Sequence, residues 1–287
     1  MCISGNCVPV LEGRTCGSPP VVPNTEQTSP SGPFSVGYTY NYSSCLEGYE
    51  PSGELYTTCQ DNGKWTPALF RCIADQDCAA ILKKNSSKRG VDGVYTIYPD
   101  GYGIPAFCDM TTEHGGWTVI QQRQDNSTDF YRTWNEYKQG FGTPGKNHWI
   151  GNDVIYHLSK GKNQKLRVNL QSFSGDTAYT EYATFDVGDE ASNYILALSG
   201  NSGTAGNGMI LNDGKKFTTK DRDNDIYEAK NCAEKHHGAW WYHMCGYSNL
   251  NGQYGNPNVT GMDYMIWYFW KYDEPLQKSW MMIKTKT

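Results

Sequence analysis

The chain has 287 residues, a formal net charge of −5 at pH 7, nine tryptophans and 21 tyrosines. That length accommodates two domains, one of them with a sizeable core. The acidic balance without a long basic run argues against nucleic acid or an anionic membrane as the main partner, and no apolar run reaches the roughly eighteen residues of a membrane span. Ten cysteines, with Asn-x-Ser/Thr sequons at Asn41, Asn85, Asn126 and Asn258, point instead to a secreted, oxidised, extracellular glycoprotein.

Met1 is followed at once by Cys2, with none of the basic and apolar segments of a secretory leader. A truncated N-terminus is therefore expected, with residues 1–15 the remnant of a preceding module to which Cys2 and Cys7 belong, unless those two pair with each other. From Cys16 to Cys72, four cysteines are separated by 28, 13 and 12 residues. Four cysteines allow three connectivities. With CGSPP, GYEPSG, TTCQDNGKW and a closing RC, residues 16–73 resemble a sushi (complement control) module, which implies the pairs Cys16–Cys59 and Cys45–Cys72. So small a unit buries little apolar surface, so two crosslinks are what let it fold, and Trp65 is expected to fill its small core.

Residues 74–287 form the second domain. The alternating residues of VDGVYTIYPDGYGIPAFC, broken by Pro-Asp-Gly, predict a strand, a turn and a strand. Thr133 with Glu136 has the spacing of a capping box, so a short helix is predicted to about Gln139, stopped by Gly140. Asn152 caps a second predicted helix. LRVNLQSF, TAYTEYATFDV and NYILALSG alternate as half-buried antiparallel strands do. Few helices and many strands give an α+β domain. Lys160, Lys162, Lys165 and Arg167 form the densest basic patch, read as solvated surface.

The stretch from Thr218 to Tyr254 carries the function. Asp221, Asp223 and Asp225 alternate with only Arg222 to balance them, so three converging carboxylates call for a hard cation such as calcium. Ile226 and Cys232 stand where an EF-hand needs Gly and Glu, so that loop is excluded. Cys232 and Cys245 bracket Gly238, Trp240, Trp241 and Tyr242, and a disulfide there would remove on the order of 3 kcal/mol of loop entropy. KDRDND, NCAE, GAWWY and SNLNGQY, in this order, resemble the fibrinogen C-terminal domain of ficolins, tachylectins, tenascins, angiopoietins and fibrinogen chains. DFYRTWNEYKQGFG, GDEA, SGTAGN and WYFWK extend that resemblance from Asp77 to Thr287.

The resemblance implies a Cys78–Cys108 disulfide and a calcium ion held by the carboxylates of Asp223 and Asp225, with carbonyls of Tyr227 and Ala229 completing the shell. Six residues separate Asp225 from Cys232, where the family has five. It further implies an acetyl-binding pocket at a cis Met244–Cys245 bond, whose donors are the N–H groups of Cys245 and Gly246. His236 stands where acetyl-binding members carry Tyr, and Gly246 where they carry His. Asp263 or Tyr264 enters from the facing segment, and Tyr272 supplies an aromatic wall.

No HExxH, P-loop or GxSxG is present. SGNSG at Ser199–Gly203 is read as a surface loop rather than a protease signature, and the six histidines lack zinc-ligand spacing. The expected function is therefore non-catalytic: a calcium-stabilised, lectin-like protein of innate immunity that binds glycans or acetylated ligands on microbial or host surfaces. An oligomer would come from the missing N-terminal region, from Cys2 or Cys7, or from domain contacts. The rival is an extracellular-matrix or protein-receptor-binding role with a vestigial sugar pocket.

Overall fold

The computed structural model describes all residues except 1, 4–5, 8–13, 27–29, 47–48, 70 and 287. The chain divides into two units, Met1–Asp75 and Gln76–Thr287.

In the first unit the strands are short and paired antiparallel. β1 (Cys2–Ile3) pairs with β2 (Asn6–Cys7), β3 (Thr15–Cys16) with β4 (Phe34–Ser35), β5 (Thr39–Asn41) with β7 (Tyr56–Thr58), and β6 (Tyr49–Ser52) with β8 (Arg71–Ala74). The side chains of Cys2 and Cys7, and with them the pairing considered above, lie outside the described residues. Disulfides join Cys16 to Cys59 and Cys45 to Cys72. Trp65 does not fill the core. The buried pair there is Val22 and Tyr42, whereas Trp65 is half-buried, donates its indole N–H to the Gly17 carbonyl at 3.0 Å, and meets Phe34 edge-on at 5.5 Å. Its polar edge needs a partner, and the chain beside Cys16 supplies one.

The second unit is α+β. It opens with α1 (Cys78–Lys84), not anticipated from the sequence, whose first turn is capped by the Asp77 carboxylate accepting from the Ala80 N–H at 2.8 Å. A disulfide ties Cys78 to Cys108. The hairpin β9 (Gly93–Ile97) and β10 (Ile104–Asp109) leads to β11 (Trp117–Arg123), buried along its whole length. α2 (Trp134–Gln139) begins at the Thr133–Glu136 capping box and ends at Gly140, whose φ of 89° suits glycine. After β12 (Phe141–Gly142) and β13 (His148–Trp149) comes α3 (Asn152–Ser159), capped by Gly151 rather than Asn152. Asn152 is the first helical residue, and its side-chain oxygen accepts from the Trp149 indole at 2.9 Å.

β14 (Gln164–Ser172), β15 (Thr177–Val187) and β16 (Leu196–Gly203) form an antiparallel meander, and β17 (Leu276–Thr285) inserts between β11 and β14. The nine-stranded sheet runs β12-β13-β11-β17-β14-β15-β16, with β10 and β9 attached through β11. β14 alternates buried and half-buried positions without a break, the period of a strand with one face on the core. Ser199–Gly203 is the exposed end of the edge strand β16, not a loop, because its backbone pairs with β15.

Between β16 and β17 the chain makes only α4 (Cys232–Lys235) and isolated bridges. This irregular segment is anchored by aromatic residues: Trp240, Trp241 and Tyr242 are fully buried, and Trp241 lies 5.1 Å from Phe217 and 6.1 Å from Trp149. No helix among the described residues is long and apolar enough to cross a membrane.

Candidate functional site

Loop backbone needs partners where it is buried, and the segment from Thr218 to Tyr264 finds them in side chains. Asp221 does not join the other two aspartates. Its Oδ1 accepts from the Trp134 N–H at the start of α2 and from Thr219 Oγ1, both at 2.8 Å. A carboxylate at a helix N-terminus satisfies an otherwise unpaired donor, which takes Asp221 away from any cation.

Asp223 and Asp225 do lie together. The Asp225 N–H donates to Asp223 Oδ1 at 3.2 Å, and the two oxygens of Asp225 accept from the N–H groups of Tyr227 and Cys232, each at 2.8 Å. Burial, and after it the neighbouring Asp223 carboxylate, raise the Asp225 pKa against those backbone donors. Among the described residues no Lys or Arg is within 4.0 Å of either carboxylate. Adjacent oxygen donors, partly desolvated and lacking a counter-charge, fit a hard cation, although among the described residues no third His, Cys, Asp or Glu joins them. The Tyr227 carbonyl also accepts from the Lys230 N–H at 3.1 Å, and Ala229 is exposed.

The acidic loop is continuous with the disulfide loop. A disulfide joins Cys232 to Cys245, the Ile226 N–H donates to the His243 carbonyl at 3.2 Å, and Thr218 bridges Trp240. The Met244–Cys245 bond is not cis, since the only cis peptide among the described residues is Gly32–Pro33. The turn is made instead by left-handed backbone at Cys245 (φ 43°) and Gly246 (φ 131°). Positive φ at a non-glycine residue stores strain that surrounding structure must hold, and here the disulfide does so. The N–H groups of Cys245 and Gly246 have no acceptor among the described residues. Met244 beside them is 62% exposed, and a Cβ on Gly246 would meet only Asn212 Nδ2, at 4.0 Å.

His236 and Asp263, 27 residues apart, are brought together with Nδ1 and Oδ1 at 2.9 Å. A carboxylate can only accept, so Nδ1 carries the hydrogen and Nε2 the lone pair of the neutral ring. Burial holds His236 below its ordinary pKa, with Asp263 opposing. Tyr264 is half-buried and paired with Gln253 through its backbone. Tyr272, 69% exposed, packs on Tyr268 at 4.6 Å, and Tyr268 with Tyr247 and Phe269 completes an aromatic group that reaches the turn through Tyr247, the residue after Gly246.

Residue types alone did not disclose the supports. Asn249, fully buried, accepts from Tyr242 Oη at 2.7 Å and donates to the carbonyls of His236 (3.0 Å) and Met262 (2.7 Å), fixing the distance between the His236 and Asp263 segments. Arg123, 1% exposed, donates to the carbonyls of Leu250 (3.1 Å) and Gly252 (2.8 Å) and stacks on Phe130 at 3.9 Å. Burial lowers its pKa to about 10, so it stays charged at neutral pH. The asparagines of SNLNGQY were the available signal, because Asn so placed can satisfy loop carbonyls. The four sequon asparagines, Asn41, Asn85, Asn126 and Asn258, are all exposed.

A sushi-repeat family model matches residues 16–72, and the model described as fibrinogen beta and gamma chains, C-terminal globular domain, matches residues 74–286; neither is a catalytic family. Fibrinogen C domain-containing protein 1 of Xenopus tropicalis is 42% identical over 208 residues, covering 69% of this chain and 45% of that protein. Human ficolin-3 is 42% identical over 200 residues, covering 69% of this chain and 66% of ficolin-3. The chain thus spans less than two thirds of the length of these curated relatives. The fibrinogen-like globe domain of human ANGPTL6 superposes with a TM-score of 0.70 at 35% identity, covering 74% of this chain and 96% of that domain. On the match over residues 74–286 and the fold that carries it, the chain belongs to the fibrinogen C-terminal domain family, with a sushi repeat preceding that domain.

Proposed function

We propose that this chain is a secreted, calcium-stabilised recognition protein of innate immunity whose fibrinogen-like domain binds glycans or acetylated groups on microbial or host surfaces. The observation that carries this reading is the pair of N–H groups at Cys245 and Gly246, without an acceptor among the described residues and held in left-handed backbone beside open space. Unpaired donors bind a carbonyl or hydroxyl oxygen of a ligand. His236 Nε2 adds an acceptor and Asp263, half exposed, a second one, while Tyr247 and Phe269 offer faces suited to sugar rings. Calcium would be held by Asp223 and Asp225, with the carbonyls of Tyr227 and Ala229, and would stiffen the loop that bonds to His243 rather than touch the sugar. Single sites of this kind are weak, so clustering of copies would raise avidity by about 10² to 10⁴.

The second reading, binding of a protein receptor or matrix component, is favoured by the loss of bulk at Gly246 and by the exposed Met244, Phe269 and Tyr272, since aromatic and Met side chains are frequent at protein interfaces. Binding to a panel of acetylated and non-acetylated glycans, in calcium and then in EDTA, separates the two. Calcium-dependent binding that free N-acetyl sugars compete away, and that Asp223→Ala abolishes, is the expected result. No glycan bound, with calcium still raising the melting temperature, overturns it in favour of a protein partner.

A further inference from the structure

A cleft of about 680 Å³ opens far from the Cys245 turn in sequence, on the β14–β17 side of the sheet. Its walls are Glu113 and His114 of the turn before β11, Lys165 of β14, and Lys284 and Lys286 at the end of β17; Ala183 and Gly200 lie at its floor. Gly200 packs closely on Ala183, since a Cβ on Gly200 would come within 2.6 Å of the Ala183 Cβ, so this part of the lining is limited to small residues.

Its charges do not balance. Glu113 and Glu181 are both taken by one guanidinium, Arg167 Nη1, at 3.0 and 2.7 Å. Lys165 is left with the same two carboxylates at 3.7 and 3.9 Å, beyond hydrogen-bond distance. Among the described residues Lys284 and Lys286 have no carboxylate partner; the Lys284 ammonium leans on the Gly115 carbonyl at 2.5 Å. Burial, and then repulsion from Lys165 and Arg89, lower the Lys284 pKa, with Glu113 and Asp109 opposing. This electropositive spot belongs to a chain whose net charge is −5.

The wall is also rigid. Glu113, His114, Gly115 and Gly116 are four consecutive left-handed residues, at φ 43°, 75°, 75° and 83°. A Cβ on Gly115 would fall 2.1 Å from the Met110 carbonyl oxygen, so the turn cannot relax by substitution. It places Glu113 against Arg167, while Lys284 and Lys286 opposite have no carboxylate partner among the described residues.

We propose that this cleft is a second ligand site, for a sulfate- or carboxylate-bearing saccharide whose anionic group is held by Lys165, Lys284 and Lys286 while the sugar lies over Ala183 and Gly200. The Ser202 hydroxyl, exposed at the rim, is placed to bond a sugar hydroxyl. The site does not depend on the turn at Cys245 and does not require calcium.

Calorimetric titration of the whole protein with sulfated dextran oligosaccharide, neutral dextran of the same length, and inorganic sulfate tests it. Only the sulfated oligosaccharide should bind well, and binding should fade as salt approaches about 1 M, where screening acts within ~3 Å. K284Q/K286Q should weaken binding roughly tenfold or more, the loss expected for a charge-assisted hydrogen bond. Glu113→Gln should tighten it, and K215Q/K216Q should leave it unchanged. Lys286 lies beyond the last strand, so K286Q alone carries the test if the double variant melts early. Equal affinity for neutral dextran, unchanged affinity in the lysine variants, or weaker binding by Glu113→Gln overturns the proposal. Inorganic sulfate binding as tightly as the oligosaccharide overturns the saccharide part. Asp223→Ala leaves this cleft intact, so failure here is distinguishable from failure at the Cys245 turn.

Discussion

Asp225 Oδ2 accepts the backbone N–H of Cys232 at 2.8 Å, so the acidic loop and the disulfide loop share one carboxylate. The first residue of α4 is thereby fixed by a group that is also a candidate cation ligand. An ion held there would transmit its order directly to the loop that ends at Cys245.

Asp225→Ala should cost about 1 to 3 kcal/mol by leaving two N–H groups unpaired. It should also abolish the rise in melting temperature on adding calcium. For the parent protein that rise corresponds to about 2.7 kcal/mol when calcium is a hundredfold above its Kd. Differential scanning fluorimetry in calcium and in EDTA checks both. Asp221→Ala should lower stability equally in the two conditions, because Asp221 caps α2 instead of facing the ion.

Asn249→Leu should be more damaging than its near-equal size suggests. It strands the Tyr242 hydroxyl and the carbonyls of His236 and Met262 in a buried site, at a cost of roughly 2 to 4 kcal/mol. Faster limited proteolysis between residues 232 and 263, together with a lower melting temperature, is the expected result. Unchanged protection would mean that the loop is held elsewhere.

Arg123→Met keeps length but removes the donors to the carbonyls of Leu250 and Gly252. Loss of about 2 to 4 kcal/mol is expected from the orphaned carbonyls, partly offset because the guanidinium no longer has to be buried. Chemical denaturation measures the net.

Acid should destabilise the second unit in a window set by His148. Its ring is 1% exposed between the Lys146 and Val119 carbonyls, and burial lowers its folded pKa below the ordinary 6.5. The unfolded chain therefore takes up a proton first. Stability is full above about pH 6.5 and falls as pH drops through that value toward the folded pKa. His236 acts in the same direction. Melting temperatures from pH 7.5 to 5 should show the decline, and His148→Gln should flatten it.

The regular parts of this fold were legible because their signals are local. Thr133, Glu136 and Gly140 announce α2 from start to stop, and the alternation in LRVNLQSF fixes β14 and its buried face. Pairings that depend on tertiary context were not. Nothing in KDRDND says that Asp221 turns to Trp134 while Asp223 and Asp225 stay together, since that choice is made by a helix 87 residues away. Asn152 resembled a cap but entered α3, because its side chain was needed by Trp149. The turn at Met244 to Gly246 keeps trans peptides and takes its shape from positive φ angles at Cys245 and Gly246, which no local residue pattern announces. The burial of Arg123 has no local signal, because it follows from the carbonyls of Leu250 and Gly252 that require it.

The position of β17 sets the order in which this domain can be completed. Leu276–Thr285 follows every other described strand of the sheet in the sequence, yet it lies between β11 and β14 in the middle of the sheet. Until it arrives, the two halves of the sheet expose facing, unpaired edges, a state open to pairing with other chains. Completion of the sheet must wait for β17, with closure across more than 150 residues from β11 to β17. Loss of β17 would therefore open the seam of the sheet rather than a fringe, leaving β11 and β14 with unpaired edges.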